Sequence, residues 1–199
     1  MSARAPADAV SVADPDAALM LAYAAGDAAA FDALYARHRG GVYRYLLRHC
    51  GVPATADELF QDVWMNVIRA RAAYAPSAKF TTWLYRIAHN RLVDHWRASG
   101  NVVLVATDPD DDDDDPLAAV PGPRTDEPDV RAGARETAVR LDAALARLPA
   151  AQRDAFLLHQ EGGLALADIA ALTGEGVETV KSRIRYALAK LRVALGDLR

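Results

Sequence analysis

The C-terminal thirty-five residues constrain the fold most. They run from a short apolar segment, Leu166 to Leu172 (LADIAAL), through a turn, Thr173 to Gly176 (TGEG), into a basic segment, Val177 to Leu195. In the basic segment Val177, Val180, Ile184, Leu188, Leu191 and Leu195 recur at steps of three and four. That spacing predicts one apolar stripe, which seats a helix on its own domain. Thr179, Ser182, Arg183 and Tyr186 fall away from the stripe, and Lys181 and Arg185 lie near its edges. Between Val177 and Leu195 there are five basic residues and one acid. A short apolar helix, a glycine turn and a basic helix make the sequence form of a helix-turn-helix, whose second helix can lie in a DNA major groove. The competing reading is an ordinary helix with a solvated basic face. The three features together favour nucleic acid.

A net charge of −4 is unexpected for such a chain until it is divided along the sequence. Residues 1–99 carry eleven basic and nine acidic side chains, net +2; residues 100–134 carry two and ten, net −8; residues 135–199 carry ten and eight, net +2. Affinity for a polyanion depends on the local field, not on the total. The acidic middle contains Asp108, the run Asp110 to Asp115, and Pro109, Pro116, Pro121, Pro123 and Pro128. It has too little apolar surface to offset ordering and too many prolines for a helix, so the sequence predicts a disordered linker over about 100–134. Within it Val102 to Val105 (VVLV) is apolar. As a coil the linker spans roughly 30 Å; stretched, about 115 Å.

The flanking regions read as helices, with no strand pattern, so the expected fold class is all-α with two small helical domains, 17–99 and 135–199, behind a disordered tail at 1–16. In the first, Asp14 and Pro15 mark a helix start, and Gly26–Asp27 breaks and recaps the chain. Phe31, Leu34, Tyr35, His38, Val42, Tyr45 and Leu46 form a stripe that continues through Gly40 and Gly41. Gly51 and Pro53 end that helix, a third starts near Ala54, Tyr74 to Ala78 is a loop, and a fourth runs from Phe80 to Arg97. Four further helices are expected near 136–147, 150–160, 166–172 and 177–195.

Two helices carry candidate chemistry. The third opens with Asp57, Glu58, Gln61 and Asp62 beside Phe60 and Trp64. Acids in a first turn favour the helix dipole, which explains Asp57 and Glu58 better than Asp62. An acidic, aromatic face suits a protein partner with a basic surface. The fourth mixes Lys79, Arg86, Arg91 and Arg97 with Phe80, Trp83, Tyr85 and Trp96. Aromatics among cations and amides are what single-stranded DNA recognition needs, stacking platforms plus phosphate partners, and a loop before such a helix can accept a base swung out of the stack. Trp83 shares a face with Ile87 and reads equally well as core.

Enzyme readings fare poorly. His89 and His95 are about 240° apart round a helix, and His38 and His49 stand about 16 Å apart along one, so neither pair suits a metal. Each His reads as a surface or boundary residue. No phosphate-binding glycine loop or nucleophile motif is visible. One cysteine, Cys50, excludes an intrachain disulfide. No apolar run approaches the ~20 residues of a membrane span, and no signal peptide is visible. The expectation is a soluble, cytoplasmic chain without cofactor or metal.

In this order the pieces resemble bacterial RNA polymerase sigma factors of the extracytoplasmic-function (ECF) group of the sigma-70 family. ADELFQDVW at 56–64 and FTTWLYRIAHNR at 80–91 look like sigma region 2. LPAAQRDAF at 148–156, Asp168 to Ala170 and Thr179 to Arg185 look like region 4. The chain between them is too short for the extra helical domain of larger sigma factors. The acidic run is not part of the family pattern, and Thr173 and Glu175 stand in a turn that is often more apolar.

The resemblance implies a mechanism. Core RNA polymerase is bound by the third-helix face, Asp57, Glu58, Leu59, Phe60, Gln61, Asp62 and Trp64. The −10 element of promoter DNA is read as its strands open, by Lys79, Phe80, Thr81, Thr82, Trp83, Arg86, His89, Asn90, Arg91 and Arg97. The −35 element is read as duplex by Thr179, Lys181, Ser182, Arg183, Arg185 and Tyr186. The family also makes an anti-sigma factor a candidate partner. Opening a dozen base pairs costs roughly 15 kcal/mol at about 1.4 per step, and a few stacked bases at ~1–3 kcal/mol each do not meet it. Strand capture therefore depends on polymerase. The acidic run is expected to occupy a basic polymerase channel until RNA displaces it, or to serve only as an extended spacer. Two other classes stay open on sequence alone: a dimeric helix-turn-helix regulator that binds half-sites without polymerase, and an interaction module with no DNA function.

Overall fold

The computed structural model describes the backbone of residues 14–100 and 128–196, and the side chains of 14–100 and 136–196. Among these residues there are eight α-helices, one 3₁₀ turn and no strand.

The first unit contains α1 (Pro15–Ala24), α2 (Ala28–Cys50), α3 (Pro53–Ala70), a 3₁₀ turn (Arg71–Ala73) and α4 (Phe80–Ala98). Its boundaries are set by side-chain chemistry. Asp14 caps α1 by accepting from the Asp16 amide at 3.0 Å, and Pro15 fills the first helical position, where its missing N–H loses nothing. Asp27 caps α2 through the amides of Ala29 and Ala30 at 3.0 and 3.4 Å. Gly51, at φ 68°, closes α2 in the left-handed conformation that favours glycine. The α4 N-terminus has no cap of its own, because Lys79 occupies that position. Asp14 supplies one from a distance: its Oδ2 accepts from the Phe80 amide at 2.7 Å. One carboxylate thus serves two helix starts and ties α1 to the beginning of α4. Asp14 and Asp16, expected in a tail over 1–16, belong to the start of α1, Asp14 as its cap and Asp16 buried against Arg37 and His38; residues 1–13 lie outside the described residues.

The second unit contains α5 (Pro128–Ala146), α6 (Ala150–Gln160), α7 (Leu166–Thr173) and α8 (Val177–Leu195). Helix α5 begins at Pro128, well before the expected start near 136, so the predicted linker loses its last residues to a helix that opens on proline. The rest of that segment, including Val102 to Val105 and Asp110 to Asp115, lies outside the described residues. Helix α7 ends at Gly174, φ 75°, and the amides of Gly174 and Glu175 both donate to the Ala170 carbonyl, at 3.0 and 3.1 Å. That compact stop turns the chain into α8 and completes the helix-turn-helix. The buried side of α8 is Val180, Ile184, Ala187 and Leu191, packed mainly on α6. Val177 is exposed and Leu188 only half-buried, so the core face is rotated toward Ala187 relative to the predicted stripe.

The buried apolar residues form one continuous cluster, with Met20, Leu34, Leu46, Val63, Phe80 and Leu84 from the first unit and Leu145, Leu157, Leu158, Leu164, Ile169 and Val180 from the second. The units also touch, α2 lying against α5 and α6. No helix among the described residues is long and apolar enough to cross a membrane.

Candidate nucleic-acid interface

Three surfaces follow from this packing. On α3, Trp64 sets its edge against Phe31 and Tyr35, with ring centroids 5.8 and 4.9 Å away, and Tyr43 sets its edge against Phe60 at 5.7 Å. Leu59 and Trp64 are 7% and 5% exposed, so within the predicted face they are floor rather than surface. Phe60 is half-buried, while Asp57, Glu58, Gln61 and Asp62 are exposed along the rim. Asp57 lies beside the Tyr43 hydroxyl and contributes to raising its pKa, after burial. Asp62 points toward α4, 3.7 Å from Arg91.

The predicted α4 set divides by direction. Phe80 is wholly buried and shapes the helix start. Trp83, half-buried, packs its ring edge on Tyr74 at 5.0 Å and leaves its remaining surface to a groove between α3 and α4. That groove, of about 540 Å³, is lined by Trp83, Arg86, Asn90, Arg91 and Asp94, the last 3.6 Å from Arg91, together with Asn66 and Arg69 from α3. The sequence reading missed Asn66 and Arg69. Their signal was that α3 and α4 are joined by a short loop, which brings the end of α3 beside the start of α4. Lys79 is exposed and Thr81 and Thr82 half-buried at the helix entrance. His89 and Arg97 face away from the groove, toward the second unit. The three aromatic or cationic members that stay together are Trp83, Arg86 and Arg91.

On α8 the predicted residues also point in two directions. Lys181 and Arg185 border a cavity of about 360 Å³ floored by Leu166, Ile184 and Leu188 and flanked by Arg192. The Arg185 guanidinium lies over the Tyr186 ring, 5.0 Å from its centroid. Arg183 points elsewhere. Its side chain is 14% exposed and donates to Glu175 of the turn at 3.1 Å. Thr179 and Ser182 are half-buried beside it.

Between the units is a polar junction that sequence reasoning did not anticipate. Asp154, on α6, is 3% exposed. Its Oδ1 accepts from the Tyr45 hydroxyl at 2.9 Å, and its Oδ2 lies 3.3 Å from Nδ1 of His89, which is itself 3.2 Å from the Tyr45 oxygen. His49 Nε2 is 3.2 Å from Oδ1 but poorly aligned, so both of its ring nitrogens lack a directed hydrogen bond. His49 and His89 are therefore buried, at 6% and 8% exposure, contrary to the expectation of surface histidines. Burial opposes ionisation of Asp154, but the two imidazoles outweigh it and hold the carboxyl well below the usual carboxylate range. Burial also lowers the pKa of His49, against the pull of Asp154. Nearby, burial pushes the Cys50 thiol up to about 11, so it is protonated at neutral pH. At the junction's rim Glu161 pairs with Arg44 at 2.8 Å and with Arg48, Arg48 pairs with Asp142 at 3.0 Å, and the Tyr85 hydroxyl donates to the Glu161 carbonyl at 2.7 Å. A Cβ on Gly41 would sit 3.2 Å from that carbonyl and 2.8 Å from the Tyr85 oxygen, which explains a glycine in mid-helix.

A helical unit with an acidic, aromatic face and a cationic groove, followed by a helix-turn-helix with a basic second helix, defines a DNA-binding protein built to engage a protein partner as well. Residues 34–102 match sigma-70 region 2 and residues 138–191 match sigma-70 region 4. The chain is 32% identical over 183 residues to the ECF RNA polymerase sigma factor SigM of Mycobacterium tuberculosis, covering 92% of this chain and 86% of that one. It is 36% identical over 167 residues to the ECF sigma factor RpoE of Cereibacter sphaeroides, covering 83% and 86%. Among solved structures it is similar to CnrH in complex with the cytosolic domain of CnrY, at 25% identity and TM-score 0.63 over 92% of this chain and 99% of that one. The fold also matches the sigma factor RpoE solved with the anti-sigma factor NepR from Bartonella quintana, at 22% identity and TM-score 0.61 over 85% and 98%. The chain belongs to the sigma-70 family, in its extracytoplasmic-function group: it binds core RNA polymerase and directs promoter recognition and transcription initiation.

Proposed function

We propose that the three surfaces divide this work. The exposed rim of α3, Asp57, Glu58, Gln61 and Asp62 over the aromatic floor of Phe60, Leu59 and Trp64, meets a basic surface of core polymerase. The groove between α3 and α4 takes the −10 strand once it opens. Trp83 offers its ring as a stacking surface, Arg86, Arg91 and Arg69 offer phosphate partners, and Asn66 and Asn90 offer base-edge contacts. Lys79, Thr81 and Thr82 flank its entrance. On α8, Thr179, Lys181, Ser182, Arg183, Arg185 and Tyr186 meet the −35 duplex. The observation that carries the reading is the convergence of aromatic, amide and guanidinium groups from two helices in one groove of about 540 Å³.

In this reading residues 17–99 and the helices from α5 onward act as separate modules, one for each promoter element, in the cytoplasm, and the chain catalyses no reaction. A regulatory partner of the anti-sigma type is a further proposal, supported by the solved complex of the sigma factor RpoE with the anti-sigma factor NepR from Bartonella quintana.

The test is transcription from a defined promoter by core polymerase plus this chain. Asp57→Lys with Asp62→Lys should weaken holoenzyme assembly while circular dichroism stays helical. Trp83→Ala with Arg69→Ala should leave assembly intact and reduce open-complex formation. Normal assembly by the first pair would remove the α3 assignment, and normal strand opening by the second would remove the groove.

A further inference from the structure

We infer that the cavity beside α8 receives a segment of the chain itself. The stretch from Val102 to Asp115, apolar and then acidic, seats its aliphatic side chains on the cavity floor and its aspartates on the cationic rim. There it competes with the −35 duplex, a competition that rests on the assignment of α8 to that element.

The cavity has two chemistries, and duplex DNA uses only one of them. Leu166, Ile184 and Leu188 make its floor, and Lys181, Arg185 and Arg192 stand around it, within a volume of about 360 Å³. No acid is among the described residues that line it. A phosphate backbone pairs with the cations but has nothing apolar to bury on an aliphatic floor. An apolar hollow with a few convergent polar groups is the usual form of a site for a partly apolar ligand. The occupant that satisfies both parts carries aliphatic side chains close to several carboxylates.

The chain has such a stretch, and it lies outside the described residues. Val102, Val103, Leu104 and Val105 are consecutive, Asp108 follows three positions later, and Asp110 to Asp115 are six acids in a row. Residues 100–134 are net −8, while the regions on either side are each net +2. Opposite local fields draw such parts together. Acids alone would give only a salt-sensitive attraction without a fixed place. The aliphatic residues supply the place, because burying them on the floor removes apolar surface from water.

The segment is long enough. The chain leaves α4 beside α8, since Arg97, near the end of α4, and Arg183 line one cavity. The floor at Ile184 and Leu188 lies across α8 from there, one helix diameter or about 10–12 Å away. Val105 is five positions past Gly100, about 17 Å of extended chain, and Asp115 is fifteen past it, about 50 Å. Thirteen positions then separate Asp115 from Pro128, where α5 begins and runs back to pack on α8. Tethering sets an effective concentration of about 1 mM, so a segment with a Kd of about 0.1 mM is seated in roughly nine molecules in ten. A duplex has to displace it from Lys181 and Arg185, and apparent duplex affinity falls about tenfold.

Two variants of the full chain test this, and neither alters a described residue. One carries Asp110→Asn, Asp111→Asn, Asp112→Asn, Asp113→Asn, Asp114→Asn and Asp115→Asn. The other carries Val102→Ser, Val103→Ser, Leu104→Ser and Val105→Ser, which change no charge. Methyl NMR of the free chain without DNA should show Ile184 and Leu188 displaced from their wild-type positions in both. Binding to a −35 duplex should tighten about tenfold in both. In the acid variant the gain should shrink with salt, as the Debye length falls from about 10 Å at 0.1 M to about 3 Å at 1 M. Methyls that keep their wild-type positions in either variant would overturn the seating. Should initiation by holoenzyme change while the methyls stay, the run belongs on polymerase instead. Tighter duplex binding by the acid variant alone, again with unmoved methyls, would reduce the run to long-range repulsion of DNA. Displaced methyls with unchanged duplex affinity would keep the segment in its cavity and remove α8 from the −35 element.

Discussion

Tyr45 and Asp154 are separated by 109 residues of sequence, yet the phenol of one donates to the carboxylate of the other at 2.9 Å inside the junction between the two helical units. His49 lies one turn along α2 from Tyr45, its ring edge-to-face with the phenol at a centroid separation of 4.8 Å and edge-to-face with Trp96 at 5.4 Å. A carboxylate, two imidazoles and a phenol thus share one buried volume, and the protonation of Asp154 and His49 is coupled to docking.

That coupling has a direction. Burial, then the charges of Arg153 and His89, hold the pKa of His49 down, against the opposing contact with Asp154. Tyr45, Cys50, His89, Trp96, Arg153 and Asp154 are the groups around it. A histidine whose folded pKa lies below its unfolded value contributes stability that is present above about pH 6.5 and is lost as pH falls from there toward the lower folded value. Asp154, held below the carboxylate range, keeps its contribution until pH falls below about 4. Protonation of His49 therefore weakens docking over the interval that begins near pH 6.5 and runs downward, before the Asp154 contribution fades. Scattering should show the chain expanding over that interval, and His49→Gln should flatten the response. An unchanged wild-type profile would mean that His49 protonation is not linked to docking.

Gly41 offers an independent handle on the same surface. Gly41→Ala improves helix propensity by about 1 kcal/mol but places a methyl 2.8 Å from the Tyr85 oxygen and 3.2 Å from the Glu161 carbonyl. The expected result is a chain with undiminished helicity and a weakened junction, seen as faster proteolysis between the units. The overpacking should cost ~1–3 kcal/mol of docking. If proteolysis is unchanged, Tyr85 swings aside freely and the close approach is not a constraint.

Much of the fold was legible because its determinants are local. Asp14 with Pro15, Asp27, Gly51 with Pro53, and Gly174 each mark a boundary within a few residues of where the helix begins or ends. The α8 face was predicted from periodicity and came out rotated, because Ala187, a small residue that periodicity does not weight, joins Val180, Ile184 and Leu191 in the buried face. The junction was not legible. Nothing within ten residues of His49 or His89 announces Asp154, and a histidine on an otherwise helical stripe reads as a boundary residue until its partner from another unit is in place. Asn66 and Arg69 escaped for a related reason: they belong to the groove only because α3 and α4 lie side by side.

Asp14 tests the longest reach of a local signal. By sequence it is an ordinary N-cap for α1, but it also accepts from the Phe80 amide and so caps α4. Asp14→Ala should cost about 2 kcal/mol, near the upper end for a cap, because two helix starts lose their acceptor. Denaturant unfolding measures this. Asp14→Ser should recover the α1 share alone, since a shorter side chain with one oxygen does not span both amides. Equal stability of Ser and Asp forms would reduce Asp14 to a single cap.

The turn of the helix-turn-helix carries the last prediction. Arg183 donates to Glu175 at 3.1 Å and is 14% exposed, whereas Lys181 and Arg185 point to the other side of α8. An arginine tied to a neighbouring glutamate has to exchange that partner before it can meet a guanine or a phosphate, and the glutamate itself repels the approaching backbone. Glu175→Gln keeps the turn's shape and one hydrogen-bond acceptor while removing the charge. It should tighten −35 duplex binding and steepen its salt dependence by about one counterion. Arg183→Ala should then separate two roles. Loss of discrimination at one base, worth about 1–3 kcal/mol, marks a bidentate base contact; an equal loss on every sequence marks a phosphate anchor. If Glu175→Gln leaves both affinity and salt slope unchanged while Arg183→Ala weakens binding, the ion pair already persists in the bound state. Glu175 would then act by orienting the guanidinium rather than by withholding it.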